Sequence, residues 1–243
     1  MSDLPIHDNA RVSTDANLAS EPDSRQRRPP GRPRLPFERI IAVALEIVDE
    51  EGADALSMRT LAQRLDSGTA TLYRAVANRA ELVAHVVDRV FGEVQFDRDA
   101  FGGGDWQQAC LLAGQATFDA LSRHRRVAPL LLEQVPTGPN AMIHRERFLA
   151  MLLDNGFSHE MAPLAYTTIA RYVLGLALQL HGHGTAANPD SAAVSALYRR
   201  LDPALFPATL AVADSLPAAT LEDEFAFGLA LIVAGLASLR TTA

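Results

Sequence analysis

A chain of 243 residues, 48% of them hydrophobic, has room for one small and one medium domain and enough apolar side chain to bury a core. Its net charge of −7 argues against a general nucleic-acid coat, and the lone Cys110 excludes an internal disulfide or a thiolate zinc cluster. No uninterrupted apolar run approaches the roughly 20 residues of a membrane span, and the mixed, polar start MSDLPIHDNARVST lacks the order of a secretion signal, so a cytoplasmic protein without a membrane partner is expected.

Residues 1–35 read as a disordered basic arm, because Asp, Ser, Asn, Pro and Arg follow one another without an apolar period. The arm ends Pro29-Pro30-Gly31-Arg32-Pro33-Arg34. A Gly-Arg-Pro core of this kind keeps the backbone extended, so that Arg32 and Arg34 can lie in a narrow minor groove. Between Arg25 and Arg39 six arginines face the single acid Glu38. Between Leu56 and Arg79 four arginines face Asp66 alone. A locally basic head on an acidic body suits a DNA binder that is steered yet dissociable.

Ile41, Leu45 and Val48 form one stripe over Phe37–Gly52, with Ile40, Ala44 and Ile47 beside it and Gly52 at the natural stop. Ser57 then caps a short amphipathic helix carrying Leu61, Ala62 and Leu65. Asp66-Ser67-Gly68 supplies a turn. A second short helix follows with Thr69, Thr71, Tyr73 and Arg74 outward and Leu72 and Val76 as anchors. A helix with a polar first turn can set that turn against base edges and phosphates, so LSMRTLAQRLDSGTATLYRAVAN reads as a helix-turn-helix. Asn78 and Glu81 begin the exit helix as a capping-box variant.

From Gln107 onward the pattern predicts helices near 106–124, 126–134, 139–154, 159–181, 191–200 and 220–240, separated by Gly, Pro, Asn and Asp breakers. Pro163 is expected to delay or bend the fourth of these. The last is apolar all round, which demands burial on all sides. Its Gly228 and Gly235 lie seven residues apart on one side, where another helix can approach closely.

The segment 36–94 resembles the DNA-binding domain of tetracycline-repressor-type regulators, above all in T-x-x-LAQ-x-L…TLY-x-x-V-x-N-R. Asp105-Trp106-Gln107, Gly156-Phe157-Ser158 and the run Phe225-x-Phe227-Gly228-Leu229-x-Leu231-Ile232-x-x-Gly235-Leu236 resemble the regulatory domain of the same repressor. The resemblance implies an all-α fold, with a three-helix helix-turn-helix domain over 36–82 and a helical ligand-binding and dimerisation domain over 83–243. It further implies a homodimer on double-stranded DNA with an inverted-repeat operator, formed through the 159–181 helix and the terminal helix at Phe225, Gly228, Ile232, Gly235 and Leu236.

By the same resemblance Arg59 matches a base-reading position. Thr69, Ala70 and Thr71 match the first turn of the recognition helix, and Tyr73 and Arg79 match phosphate contacts. Arg74 stands where the family varies, with a fork suited to guanine. Asp66 occupies the usual glycine of the turn, and Ser67 stands where the family has an apolar residue, so an altered turn geometry is expected. The effector positions correspond to Gln95, Ala113, Thr117, Leu131, Phe148, Arg171 and Gln179. The imidazoles that hold magnesium and tetracycline are missing from this set, which leaves an apolar pocket with a few polar handles for an unknown small molecule.

His181-Gly182-His183-Gly184 has no carboxylate or thiol cluster beside it and reads as a helix end rather than a metal site. Cys110 reads as a small buried hydrophobe. No nucleophile elbow, phosphate loop or metal-ligand pair suggests an enzyme, and no cofactor is implied. The reading is a repressor released from a palindromic operator by a small, largely apolar ligand. The alternative, a ligand-independent architectural DNA binder, gives the long helical body no task.

Overall fold

The computed structural model describes residues 35–94, 105–182 and 191–240. Every regular element among the described residues is a helix. Helix α1 spans Phe37–Glu51, α2 Met58–Arg64, α3 Thr69–Leu72 and α4 Arg79–Phe91. The body follows as α5 (Trp106–Arg123), α6 (Leu130–Glu133), α7 (Pro139–Asp154), α8 (Met161–Gly182), α9 (Ser191–Tyr198), α10 (Pro207–Ala211) and α11 (Leu221–Arg240).

Local chemistry fixes the first four helices. Gly52 stops α1 in a positive-φ conformation (φ 97°) that a side chain resists. The Thr60 amide donates to Ser57 Oγ at 3.0 Å, and the Glu81 amide to Asn78 Oδ1 at 2.9 Å. Glu81 returns its carboxylate to the Ala77 amide at 2.6 Å, one residue earlier than a capping box has it. In the turn, Asp66 itself takes the left-handed conformation (φ 46°), while Gly68 is ordinary (φ −80°). Ile47, Leu61, Leu72, Val76 and Leu82 close the small core; each such side chain contributes about 1.5–3 kcal/mol by burial.

Helix α4 packs on α1 and also on α6 and α7, so head and body share it. Buried Asp88 of α4 makes the joint. Its carboxylate accepts from the Ala141 amide and from Asn140 Nδ2, both at 3.0 Å, and so caps α7 from a neighbouring helix. Gly138 leaves room for this, since a Cβ there would strike the Asp88 carboxylate.

In the body α5, α8 and α11 pack together. Phe118 of α5 stacks on Phe225 of α11 (4.1 Å between ring centres), and Tyr172 of α8 lies against the same ring at 5.7 Å. The Tyr172 hydroxyl donates to the Glu224 carbonyl at 2.8 Å, and a Cβ at Gly228 would collide with its ring. Helix α8 has the length and hydropathy of a membrane span, but Arg171 interrupts it and α5, α7 and α11 pack on it. Helix α8 starts at Met161, two residues after the predicted 159, and runs on through Pro163: as the third helical residue, proline lacks an amide that would have gone unpaired anyway. The segment predicted over 126–134 contracts to the single turn of α6, and α10 with the short turn Leu216–Ala218 was not foreseen.

Candidate nucleic-acid interface and effector cavity

The recognition segment is presented outward. Arg59, Thr69, Ala70, Tyr73 and Arg74 are exposed and Thr71 is half-buried, while Leu72 and Val76 hold the segment from within. Tyr73, at 54% exposure, has its hydroxyl open to a partner. Among the described residues neither Arg59 nor Arg74 meets a carboxylate, so both charges are available to an incoming polyanion. Arg64, by contrast, is tied to Glu50 and Glu51. Arg32 and Arg34 lie outside the described residues.

Arg79 departs from the expected phosphate contact. Its Nε donates to the Leu56 carbonyl at 2.8 Å and Nη2 to the Ala53 carbonyl at 3.2 Å. Its two Nη groups also grip the Glu133 carboxylate at 2.5 and 3.1 Å. The hydrogen bond donated to Glu133 raises the Arg79 pKa further above its ordinary range. Each nitrogen of the guanidinium fork has a protein acceptor, although the side chain stays more than a third exposed. The physical reason is the position of α6, whose last residue sits beside the first residue of α4.

Behind α6 lies a cavity of about 580 Å³. Its walls are Ala113 and Thr117 of α5, Leu131–Pro136 around α6, His144, Arg145 and Phe148 of α7, Tyr166, Ile169, Arg171 and Val173 of α8, and Phe91 of α4. The expected Ala113, Thr117, Leu131, Phe148 and Arg171 therefore converge. Gln179 is exposed and stands apart from the cavity, and Gln95 lies outside the described residues. Residues 131–134, within the segment read from the sequence as helix over 126–134, supply part of one wall with Val135 and Pro136 after them.

An imidazole does line this cavity. His144 meets the Phe91 carbonyl at 2.9 Å through Nε2, so Nε2 carries the proton; burial lowers the pKa of the ring and keeps it neutral. The position-by-position reading missed it because His144 comes from α7, at a site outside the matched set. Arg145 was missed for the same reason. Its Nη2 donates to the Pro136 carbonyl at 2.9 Å, its Nε to the Tyr166 hydroxyl at 3.3 Å, and its guanidinium carbon lies 5.8 Å from the Tyr166 ring centre.

A second polar joint sits at the other end of α4. His124, ending α5, places Nδ1 2.8 Å from Asp49 of α1 and Nε2 3.0 Å from Glu93. Two carboxylates require two donors, so the ring is an imidazolium; the Asp49 hydrogen bond leads in raising its pKa, with Glu93 adding to it against burial.

Two family models match this chain. Residues 40–86 match the bacterial regulatory proteins of the tetR family, and residues 100–240 match the tetracycline repressor-like C-terminal domain. The chain belongs to the tetracycline repressor family. Its relatives in that family are transcriptional regulators rather than enzymes. They include the repressor DrrR1 of Streptomyces coeruleorubidus, 32% identical over 60% of this chain, and the class D tetracycline repressor of Escherichia coli, 33% identical over 65% of this chain and 71% of that protein. The chain spans 54% of the length of DrrR1 and 60% of a related regulator from Saccharopolyspora erythraea. Among solved structures, apo ActR of Streptomyces coelicolor superposes with a TM-score of 0.77 at 31% identity, over 86% of this chain and 98% of that one. ActR bound to actinorhodin superposes with a TM-score of 0.75 at 32% identity, over 85% of this chain and 98% of that one.

As a tetracycline repressor-family chain it presents a terminal helix whose two faces differ from expectation. Phe225 and Leu236 are buried inside the subunit, and Gly228 is the seat of Tyr172, so these three belong to the subunit core. Ile232 is half-buried at the seam. The outward stripe is Phe227, Leu231, Gly235 and Leu239, with Phe227 69% exposed. Gly235 has open space over it. The inward face was chosen by the Phe118 and Tyr172 rings, which the repeat of the helix alone does not specify.

Cys110 is buried, and burial with the nearby Asp105 charge pushes its thiol up to about 12, so it stays a neutral hydrophobe at neutral pH. His183 lies outside the described residues.

Proposed function

We infer that this chain is a cytoplasmic transcriptional repressor that binds an inverted-repeat operator as a homodimer and is released by a small, largely apolar ligand in the α5–α8 cavity. The observation that carries the reading is shared walls: the α6 segment that lines the cavity also holds, through Glu133 and Gln134, the start of α4 directly after the recognition helix. Gln134 Nε2 donates to the Ala80 carbonyl at 3.1 Å beside the Arg79–Glu133 pair. A ligand that favours one position of α6 thereby biases the placement of the recognition helix, by no more than its differential affinity for the two arrangements.

The named relatives support the reading, as DrrR1 is a repressor and ActR binds actinorhodin and (S)-DNPA. Dimerisation is supported by the exposed stripe Phe227, Leu231, Gly235 and Leu239. A magnesium–tetracycline ligand does not suit the lining. Magnesium wants several hard oxygen donors, whereas among the described residues of the lining the one carboxylate, Glu133, is committed to Arg79 and the one imidazole donates to Phe91.

Selection of bound DNA from a random library tests the first half of the proposal. A palindrome with half-sites about one helical turn apart is expected; enrichment of an asymmetric single site, or of nothing, sinks it. Release of the selected DNA, followed by fluorescence anisotropy against a panel of small aromatic compounds, tests the second half.

A further inference from the structure

The cavity is apolar for most of its lining, yet two cations stand in its wall, Arg145 and Arg171. Among the described residues neither meets a carboxylate. Glu133, the one acid among the described residues of the lining, is already spent on Arg79. Arg145 is half-buried and its fork is incompletely served: Nη2 and Nε reach neutral oxygens, while Nη1 reaches only the Met142 sulfur at 3.0 Å. A thioether is a weak acceptor. A half-buried guanidinium that meets no counter-charge among the described residues favours an anion, and its planar geometry favours one with two oxygens.

We propose that the ligand of this cavity is an organic anion: a flat apolar body against Phe91, Phe148 and Tyr166, with a carboxylate or comparable acidic group on Arg145. The proposal rests on the cavity being the effector site, and adds the charge of the ligand. Tyr166 fixes the direction of approach, since its ring lies against the Arg145 guanidinium and its hydroxyl accepts from Nε. The acid displaces the Met142 sulfur from Nη1 and keeps the bond to Pro136. Neutral His144, donating to Phe91, adds no competing positive charge.

Two fluorescent probes share one skeleton and differ in charge: 8-anilinonaphthalene-1-sulfonate and neutral N-phenyl-1-naphthylamine. Titrated into the full chain, they give a ratio of dissociation constants. Arg145→Gln should shift that ratio against the sulfonate by roughly tenfold or more, leaving the neutral probe within about twofold of wild type. Arg145→Lys should restore much of the preference. An unchanged ratio, or equal weakening of both probes, overturns the anion assignment. Whether the probes occupy the cavity is read separately, from loss of both in Thr117→Trp and from displacement of the sulfonate by the neutral compound. Where Thr117→Trp does not fold, displacement alone decides. Binding indifferent to both readouts overturns the cavity as a ligand site, and the anion with it.

Discussion

Arg79, the first residue of α4, and Glu133, the last of α6, form a two-pronged ion pair across 54 residues of chain, with N–O distances of 2.5 and 3.1 Å. One end of this pair follows the recognition segment directly and the other lines the cavity. Both side chains are more than a third exposed, so solvent screening holds the pair itself to less than about 1 kcal/mol. Its importance is geometric, because it joins the end of α6 to the start of α4.

Arg79→Ala should therefore lower the melting temperature while leaving the salt dependence of DNA binding unchanged. A phosphate contact would contribute about 0.9 to the slope of log K against log salt. A slope reduced by that amount in Arg79→Ala would show that the clamp opens on DNA. Arg74→Ala is the control, since among the described residues its exposed guanidinium meets no carboxylate and is available to neutralise a phosphate.

His124 makes the joint at the far end of α4 sensitive to pH. The hydrogen bonds it donates to Asp49 and then to Glu93 raise its pKa above the unfolded value of about 6.5. The stability it contributes is fully present below that value and fades as pH rises through the folded pKa. His144 acts in the opposite sense, since burial lowers its pKa and its contribution is lost as pH falls. Thermal melts of His124→Gln and wild type should thus converge on the alkaline side and diverge near pH 6, with wild type the more stable. A constant gap across the range would remove the imidazolium from the account.

The Asp88 cap predicts a large effect from a small change. Asp88→Ala strands the Ala141 amide in a buried joint and should cost about 1–3 kcal/mol by urea unfolding. Gly138→Ala should also destabilise, since its methyl meets the same carboxylate. In the double variant the two losses should fall short of additive.

Two glycines of α11 should separate folding from assembly. Gly228→Ala drives a methyl into Tyr172 and should destabilise the subunit by about 1–3 kcal/mol at any protein concentration. Gly235→Leu fills open space on the outward stripe, so each subunit should fold while the dimer dissociates at higher concentration in sedimentation experiments. A dimer unaffected by Gly235→Leu places the interface elsewhere.

What the sequence determined by itself is whatever short range decides. Ser57 and Asn78 cap because their acceptors lie three residues from the amides they serve, and Gly52 stops α1 because only a positive φ ends it there. The outward polar turn Thr69–Thr71 and the inward Leu72 follow from helical period, so the exposed face proposed to read DNA was legible as an exposed face. Five cavity positions were legible too, but only through likeness to a known repressor; nothing in their spacing marks them. The tertiary structure alone decided which charges are spent and which are open. Arg79 looks as free as Arg74 in the sequence, and only the approach of Glu133 to α4 consumes it. Phe225 and Phe227 are two residues apart on a helix apolar all round, so periodicity cannot choose between them. Phe118 and Tyr172, from two other helices, draw Phe225 inside and leave Phe227 at the surface, because a stacked ring is fixed by what packs against it and not by its neighbours in the chain.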